Sequence, residues 1–262
     1  MDTQEPPQEP TPAEPTRASL PRRALGLLGE AVIIVVGAVI ISTLLRMFVG
    51  QMFVIPSGSM ENTLQVDDRV MVAKFGGFQR GDVVVFADPG NWLQEPPPQT
   101  DPVVRALEFL GVLPNSRNEH LIKRVIGMPG DHVTCCSDGG NIVVNGVELD
   151  ERAYLYTEDG VQVSPATVPF DIIVPEGHIF VMGDHRNQSA DSRCRLTQIS
   201  DTGPPGSAAF VPVENVVGAT VAIVAPLSRA ATFTVPETFA SVPDPTEPAP
   251  EEAVINEASP GC

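Results

Sequence analysis

Met52-Phe53-Val54-Ile55-Pro56-Ser57-Gly58-Ser59-Met60 is a β-prone run that ends in two serines straddling a glycine. Pro56 fixes its own φ and restricts the residue before it, and Gly58 lets the backbone turn sharply. The reading is a strand that runs into a tight turn and presents a serine hydroxyl to a substrate carbonyl. A plain Ser/Gly turn at the start of a domain has the same composition. The choice depends on whether the chain also supplies a base, an oxyanion site and a substrate.

Upstream of that stretch the composition reverses twice. Residues 1–23 carry Glu5, Glu9 and Glu14 among repeated prolines, a mixture that cannot bury enough apolar surface to order itself. Between residues 24 and 50 the chain is almost wholly apolar, with Ala31–Leu45 at its centre and Glu30 and Arg46 as its only nearby charges. Together with Leu25, Leu27, Leu28, Met47, Phe48 and Val49 it reaches the roughly 20 residues that span a bilayer. A cleaved signal peptide would have a shorter core and a small-residue cleavage site soon after it. A buried core helix is the other reading of such a run. Arg17, Arg22 and Arg23 precede the span, which places the N-terminus in the cytoplasm and the rest of the chain outside the plasma membrane.

Downstream, residues 51–230 read as one mainly β, antiparallel domain. Short β-prone runs alternate with turn signals: 69–73, 83–86, 121–126, 132–136, 142–144, 147–149, 172–174, 178–182 and 216–224. Asn145-Gly146 marks a hairpin turn. Residues 88–118 form a Pro-rich insertion, with a short helix expected over 103–110. Residues 231–262 are Pro-rich and acidic, with no Lys or Arg beyond Arg229, and are expected to be disordered. The whole chain of 262 residues has a net charge of −17, which argues against a nucleic-acid partner, because phosphate binding needs a basic face.

There are only two lysines, Lys74 and Lys123. A serine nucleophile needs a base whose pKa lies near the working pH, and a lysine serves only if burial lowers it. In Leu121-Ile122-Lys123-Arg124-Val125-Ile126, strand alternation sets Lys123 on the face of Leu121 and Val125. An amine between apolar neighbours is desolvated, which favours its neutral form. An edge-strand lysine reaching solvent fits the same alternation. Lys74 sits at a strand end before Gly76-Gly77 and reads as solvated. The polar cluster from Gly183 to Arg193 follows the apolar strand 178–182. Asp191 and Arg193 can pair there and brace a loop that orients Ser189 or Ser192. A solvated loop is the alternative.

Pro56-Ser57-Gly58-Ser59-Met60, then Lys123-Arg124-Val125-Ile126-Gly127-Met128-Pro129-Gly130-Asp131, then Gly183-Asp184 with Ser189-Ala190-Asp191-Ser192-Arg193, resemble in order the type I signal peptidases of bacteria. Residues 68–72 and 81–86 resemble that family too. The resemblance implies a membrane serine endopeptidase with a Ser–Lys dyad that removes signal peptides from exported preproteins. Ser59 would be the nucleophile and Lys123 its general base. The Ser59 N–H and the Ser57 hydroxyl would form the oxyanion hole. Ser189 would hydrogen-bond Lys123, Asp191 and Arg193 would brace the loop, and Arg124 would support it. Phe53, Ile55 and Met60 would line substrate pockets, with core packing as their other role. None of the four histidines falls on a catalytic position of the pattern, and His185 and Gln188 depart from its commonest form. No cofactor and no metal is expected, and no Cys/His spacing resembles a zinc site.

Ser59 lies about ten residues past the apolar run, and a chain covers roughly 3.3 Å per residue. The substrates are therefore expected to be membrane-tethered preproteins with small residues at a cleavage site just outside the lipid bilayer. Such a peptide could add to an exposed strand edge. Of Cys135, Cys136, Cys194 and Cys262, a bridge from Cys194 to Cys135 or Cys136 would tie the last motif to the strand after Lys123; a bond between Cys135 and Cys136 would be strained. Two other functions compete. A self-cleaving repressor needs a DNA-binding helix-turn-helix, which is absent. A catalytically silent, membrane-anchored β-domain binding module needs no contact between Ser59 and Lys123. Penicillin-binding chemistry needs Ser-x-x-Lys, which Ser59-Met60-Glu61-Asn62 does not supply.

Overall fold

The apolar run forms the middle of helix α1 (Arg22–Phe48). The structure is a computed structural model that describes residues 22–48, 50–90, 92–93, 101–103, 120–199 and 203–261, and within α1 the side chains of residues 27 and 29–42. The tail 1–21 lies outside the described residues. The chain divides into two units, Met1–Thr43 and Leu44–Cys262. In the first, Ile33, Ile34 and Val35 are exposed. Among the described residues no helix is long and apolar enough to cross a membrane.

The second unit is built of strands: β1 (Gly50–Val54), β2 (Arg69–Ala73), β3 (Val83–Ala87), β4 (His120–Gly127), β5 (His132–Cys135), β6 (Ile142–Val144), β7 (Val147–Glu148), β8 (Thr157–Glu158), β9 (Val161–Gln162), β10 (Phe170–Ile173), β11 (His178–Met182), β12 (Val211–Pro212), β13 (Val216–Ala225), β14 (Ala231–Thr232) and β15 (Val254–Ala258). One sheet runs β1-β2-β13-β3-β4-β11-β12, with β14 on β13. A second runs β15-β10-β5-β6-β7, and β8 and β9 pair as a ribbon. Each of these pairings is antiparallel, as the short runs and turn signals predict. Asn145 and Gly146 adopt φ of 51° and 80°, the two positive values that the tight β6–β7 hairpin demands.

Strand alternation builds the core. Along Val83-Val84-Val85-Phe86, Val83 and Val85 join Ile55, Met60, Leu64, Val70 and Ile122 in one cluster. Val84 and Phe86 join Trp92, Val125, Ile179 and Val181 in another. With both faces covered, β3 reads as a continuous apolar run. Its neighbour β4 lies between β3 and β11, so Lys123 is on an interior strand, not an edge. The pairing of β11 with β4 ends at Met182↔Arg124. The Gly183 loop therefore begins at the level of Lys123.

Three expectations are corrected. Residues 231–261 do not form the expected disordered tail. Strand β15 pairs with β10, Phe239 and Val242 are buried in the core, and Asn145 Nδ2 donates to the Pro243 carbonyl at 2.9 Å. Composition averages over this segment, whereas a few apolar side chains suffice to seat it, and its prolines lower the entropy lost on ordering. Phe239 lies against Gly81, where a Cβ would stand 2.6 Å from its ring. Phe239→Ala is expected to cost about 3 kcal/mol, read by thermal unfolding as a fall of about 10 °C. An unchanged midpoint would mean that the segment does not pack.

The second correction concerns the cysteines. Cys135 and Cys136 are bonded to each other, so neither is joined to Cys194. Cysteine spacing alone does not reveal connectivity. The third is a set of missed elements. The ribbon β8–β9 turns at Asp159-Gly160, both at positive φ, and β12 and β14 span two residues each, too short to show a period. Of the helix expected over 103–110, residue 103 is helical and 104–110 lie outside the described residues, as does most of the Pro-rich insertion.

Candidate active site

Ser59 sits on a single 3-10 turn, Gly58–Met60, which the chain enters directly from β1 and Pro56. Ser57 precedes it in extended conformation, with φ −144° and ψ 160°. The turn aims the Ser59 side chain inward, leaving the residue 6% exposed, while Ser57 stays exposed. The Ser57 and Ser59 hydroxyls are 3.5 Å apart.

Lys123 meets Ser59 from β4. Its Nζ donates to Ser59 Oγ at 2.7 Å and to the Ile122 carbonyl at 2.9 Å. The residue is 4% exposed. Burial drives the amine's pKa down to about 8, against the attraction of Asp191 and Asp184, with Arg193 adding to the fall. Among the described residues every other buried cation near the loop has a carboxylate partner, and Lys123 has none within ion-pairing distance.

Those ion pairs hold the loop. Arg193 takes both Asp191 oxygens, each at 2.9 Å, and Asp191 also accepts the Gly183 N–H at 2.9 Å. Burial pushes the Asp191 carboxyl up, but Arg193 and that N–H outweigh it and keep its pKa below the ordinary carboxylate value. Arg124 grips Asp184 with two bonds, at 2.8 and 2.6 Å, and donates to the Gly81 carbonyl at 2.7 Å. Thr63, four residues past Ser59, donates to the same Asp184. Arg186 grips Glu151 and also donates to the Gly183 carbonyl at 2.9 Å. Each pair combines opposite charge with fork geometry in a dry place, where removing one partner is costly.

The structure thus brings Ser57, Ser59, Lys123, Asp191 and Arg193 together, with Arg124 one residue on. Ser189 departs from its expected part. Lys123 donates to Ser59 and Ile122 and not to Ser189. The Ser189 hydroxyl is buried and bears on the Asp191 charge, but it meets hydrogen-bond geometry with neither Asp191 nor Lys123. A Cβ on Gly183 would stand 2.3 Å from Ser189 Oγ and 2.5 Å from the Ser59 carbonyl, so Ser189 packs where only glycine leaves room. Ile55 and Met60 are enclosed in the core, the packing role, and Phe53 is half-buried against the His120 ring at 5.2 Å. Sequence reading missed Asp184 as the partner of Arg124, and Glu151 and Thr63 altogether. Their partners lie tens of residues away, and no local spacing announces them. Among the described residues no cluster of His, Cys, Asp and Glu could hold a metal ion.

An amine that loses its proton near pH 8, set 2.7 Å from a serine hydroxyl, can take that hydroxyl's proton. A buried serine and a buried lysine so placed on a β scaffold fit the class of serine hydrolases. The sequence comparisons specify the class further. A family model, signal peptidase, peptidase S26, matches residues 28–225. Signal peptidase I of Mycobacterium tuberculosis H37Rv is 38% identical over 231 residues, which cover 77% of this chain and 74% of that one. A probable signal peptidase I of Mycobacterium leprae is 38% identical over 233 residues, covering 77% and 78%. Signal peptidase I of Leptolyngbya laminosa is 31% identical over 230 residues, covering 86% and 90%. The chain belongs to the signal peptidase family, peptidase S26, as a signal peptidase I, a serine endopeptidase that removes signal peptides.

Proposed function

We propose that Ser59 and Lys123 carry out this cleavage as nucleophile and general base, a reading carried by the 2.7 Å bond between Nζ and Oγ. Neutral Lys123 takes the Ser59 proton as Oγ attacks the scissile carbonyl. The Ser59 N–H and the Ser57 hydroxyl steady the oxyanion. Lys123 then gives its proton to the leaving amine, and the mature protein departs. The signal peptide stays as an ester on Ser59 until water, deprotonated by Lys123, releases it. Asp191 and Arg193 brace the loop, and Arg124 with Asp184 ties β4 to the turn after Ser59. The strand β1 ends its sheet, so its outer edge offers main-chain partners to an extended preprotein.

The membrane arrangement belongs to the same proposal. Residues 24–50 anchor the chain in the plasma membrane, with the N-terminus in the cytoplasm and the catalytic unit outside. The almost wholly apolar composition and the exposed side chains of Ile33, Ile34 and Val35 support it. Ser59, about ten residues on, then works close to the bilayer surface, where a tethered preprotein presents its cleavage site.

The test is cleavage of a detergent-solubilised preprotein with an Ala-x-Ala site, followed from pH 6 to 9.5. Since only the neutral amine acts, kcat/KM is expected to rise about tenfold per pH unit below about 8 and to level off above it. A flat profile, or an inflection near 6.5 that would mark a histidine, would count against Lys123 as the base.

A further inference from the structure

His185 is 1% exposed and lies against the turn that carries Ser59. Its Nδ1 is 3.0 Å from Glu61 Oε2 and 3.2 Å from the Gly58 carbonyl. Both partners only accept, so Nδ1 carries the proton. The ring is stacked on Tyr156, with centroids 3.8 Å apart and planes at 28°. Tyr156 is itself tied by its N–H to the Asp184 carbonyl at 3.1 Å, and the His185 N–H donates to the Ser59 carbonyl at 3.1 Å. The Glu61 carboxylate lies over Gly58, where a Cβ would come within 2.9 Å of it. Gly58 has no left-handed φ, so what its missing side chain provides here is room for the carboxylate that His185 holds. The far nitrogen, Nε2, is buried with no partner, so all the polar bonding of the ring runs through Nδ1.

We propose that His185 is a positioning residue for the nucleophile. Its Nδ1–H ties the Gly58 carbonyl and Glu61 to a ring clamped on Tyr156, and this fixes the angle at which Ser59 Oγ meets Lys123 and the substrate. The proposal rests on Ser59 being the nucleophile. An asparagine amide nitrogen falls where Nδ1 lies, one bond beyond Cγ, whereas a glutamine amide nitrogen falls nearer Nε2. In steady-state cleavage of the same preprotein, His185→Leu is expected to lower kcat about tenfold with KM within about twofold. His185→Asn should restore kcat to within about twofold of the parent, and His185→Gln should not. Equal rates for the Asn and Gln variants, or a parental kcat in His185→Leu, would overturn the role. If His185→Leu does not fold, the Asn and Gln pair decides. Ser59→Ala in the same assay separates the two claims. Activity there removes the nucleophile and with it the role of His185; an inert Ser59→Ala beside a fully active His185→Gln removes the role of His185 alone.

Discussion

Ser59→Ala is expected to release no mature protein on the time scale of the parent enzyme, a fall in kcat on the order of 10⁵-fold. The variant deletes the atom proposed to form the acyl bond. Ser57 is the nearest stand-in, with its hydroxyl 3.5 Å from that of Ser59. Ser57 is exposed, however, and Lys123 spends its bonds on Ser59 and the Ile122 carbonyl. A Ser57 alkoxide would therefore form without a base in contact. The fold should survive, because the change removes one oxygen from a nearly buried turn and leaves the Gly58 and Glu61 contacts in place. The cost is confined to an ammonium that has lost one acceptor, about 1–3 kcal/mol. Single-turnover cleavage monitored by mass spectrometry reads the result. The parent should show a signal-peptide adduct on Ser59, and the variant should show none. Cleavage within tenfold of the parent would transfer the nucleophile's role to another residue.

What could be read from the sequence follows the range of each physical signal. The period-2 pattern is local, so 69–73 and 178–182 match β2 and β11, and the other read strands are right within a few residues. Asn145-Gly146 announces its hairpin because left-handed backbone has few occupants. Lys123 could be picked out because lysine is scarce and because its neighbours are apolar. That β4 is an interior strand, which decides between a buried amine and a solvated one, depends on β3 and β11 arriving from either side. The charges around the loop were half legible. Asp191 and Arg193 are two residues apart and pair as expected. Arg124 with Asp184 and Arg186 with Glu151 are separated by 60 and 35 residues, and only the fold brings them together. The segment after β14 misled for the opposite reason. Its average composition is that of a disordered tail, yet Phe239, Val242 and β15 act as single anchoring points.

Lys123→Met is expected to abolish cleavage and at the same time to stabilise the protein at pH 7. The sign follows from the proton balance. The unfolded lysine holds its proton up to about 10.5 and the folded one only to about 8, with burial as the first cause. Between those values the unfolded state binds the extra proton, so stability rises with pH; below about 8 the folded state bears the full penalty of a charged amine in a dry place. That penalty is about 3 kcal/mol, and a thioether of similar length does not incur it. Part of the gain is offset because the Ser59 hydroxyl and the Ile122 carbonyl lose their donor. A net rise of a few degrees in the unfolding midpoint at pH 7 is expected, shrinking as the pH approaches 10.5. Activity goes the other way, down by about 10³-fold or more, since no other base touches Ser59. Lys123→Arg isolates charge from chemistry. Its guanidinium cannot give up its proton, so this variant is equally inert, and it forces a larger cation into a site without a carboxylate partner, which lowers the midpoint instead of raising it. Lys123→Met less stable than the parent at pH 7 would mean that the amine is solvated in the folded state. Lys123→Arg with near-parental cleavage would show that the base lies elsewhere. The two variants together ask whether stability has been given up at this position for an amine that is neutral when the substrate arrives.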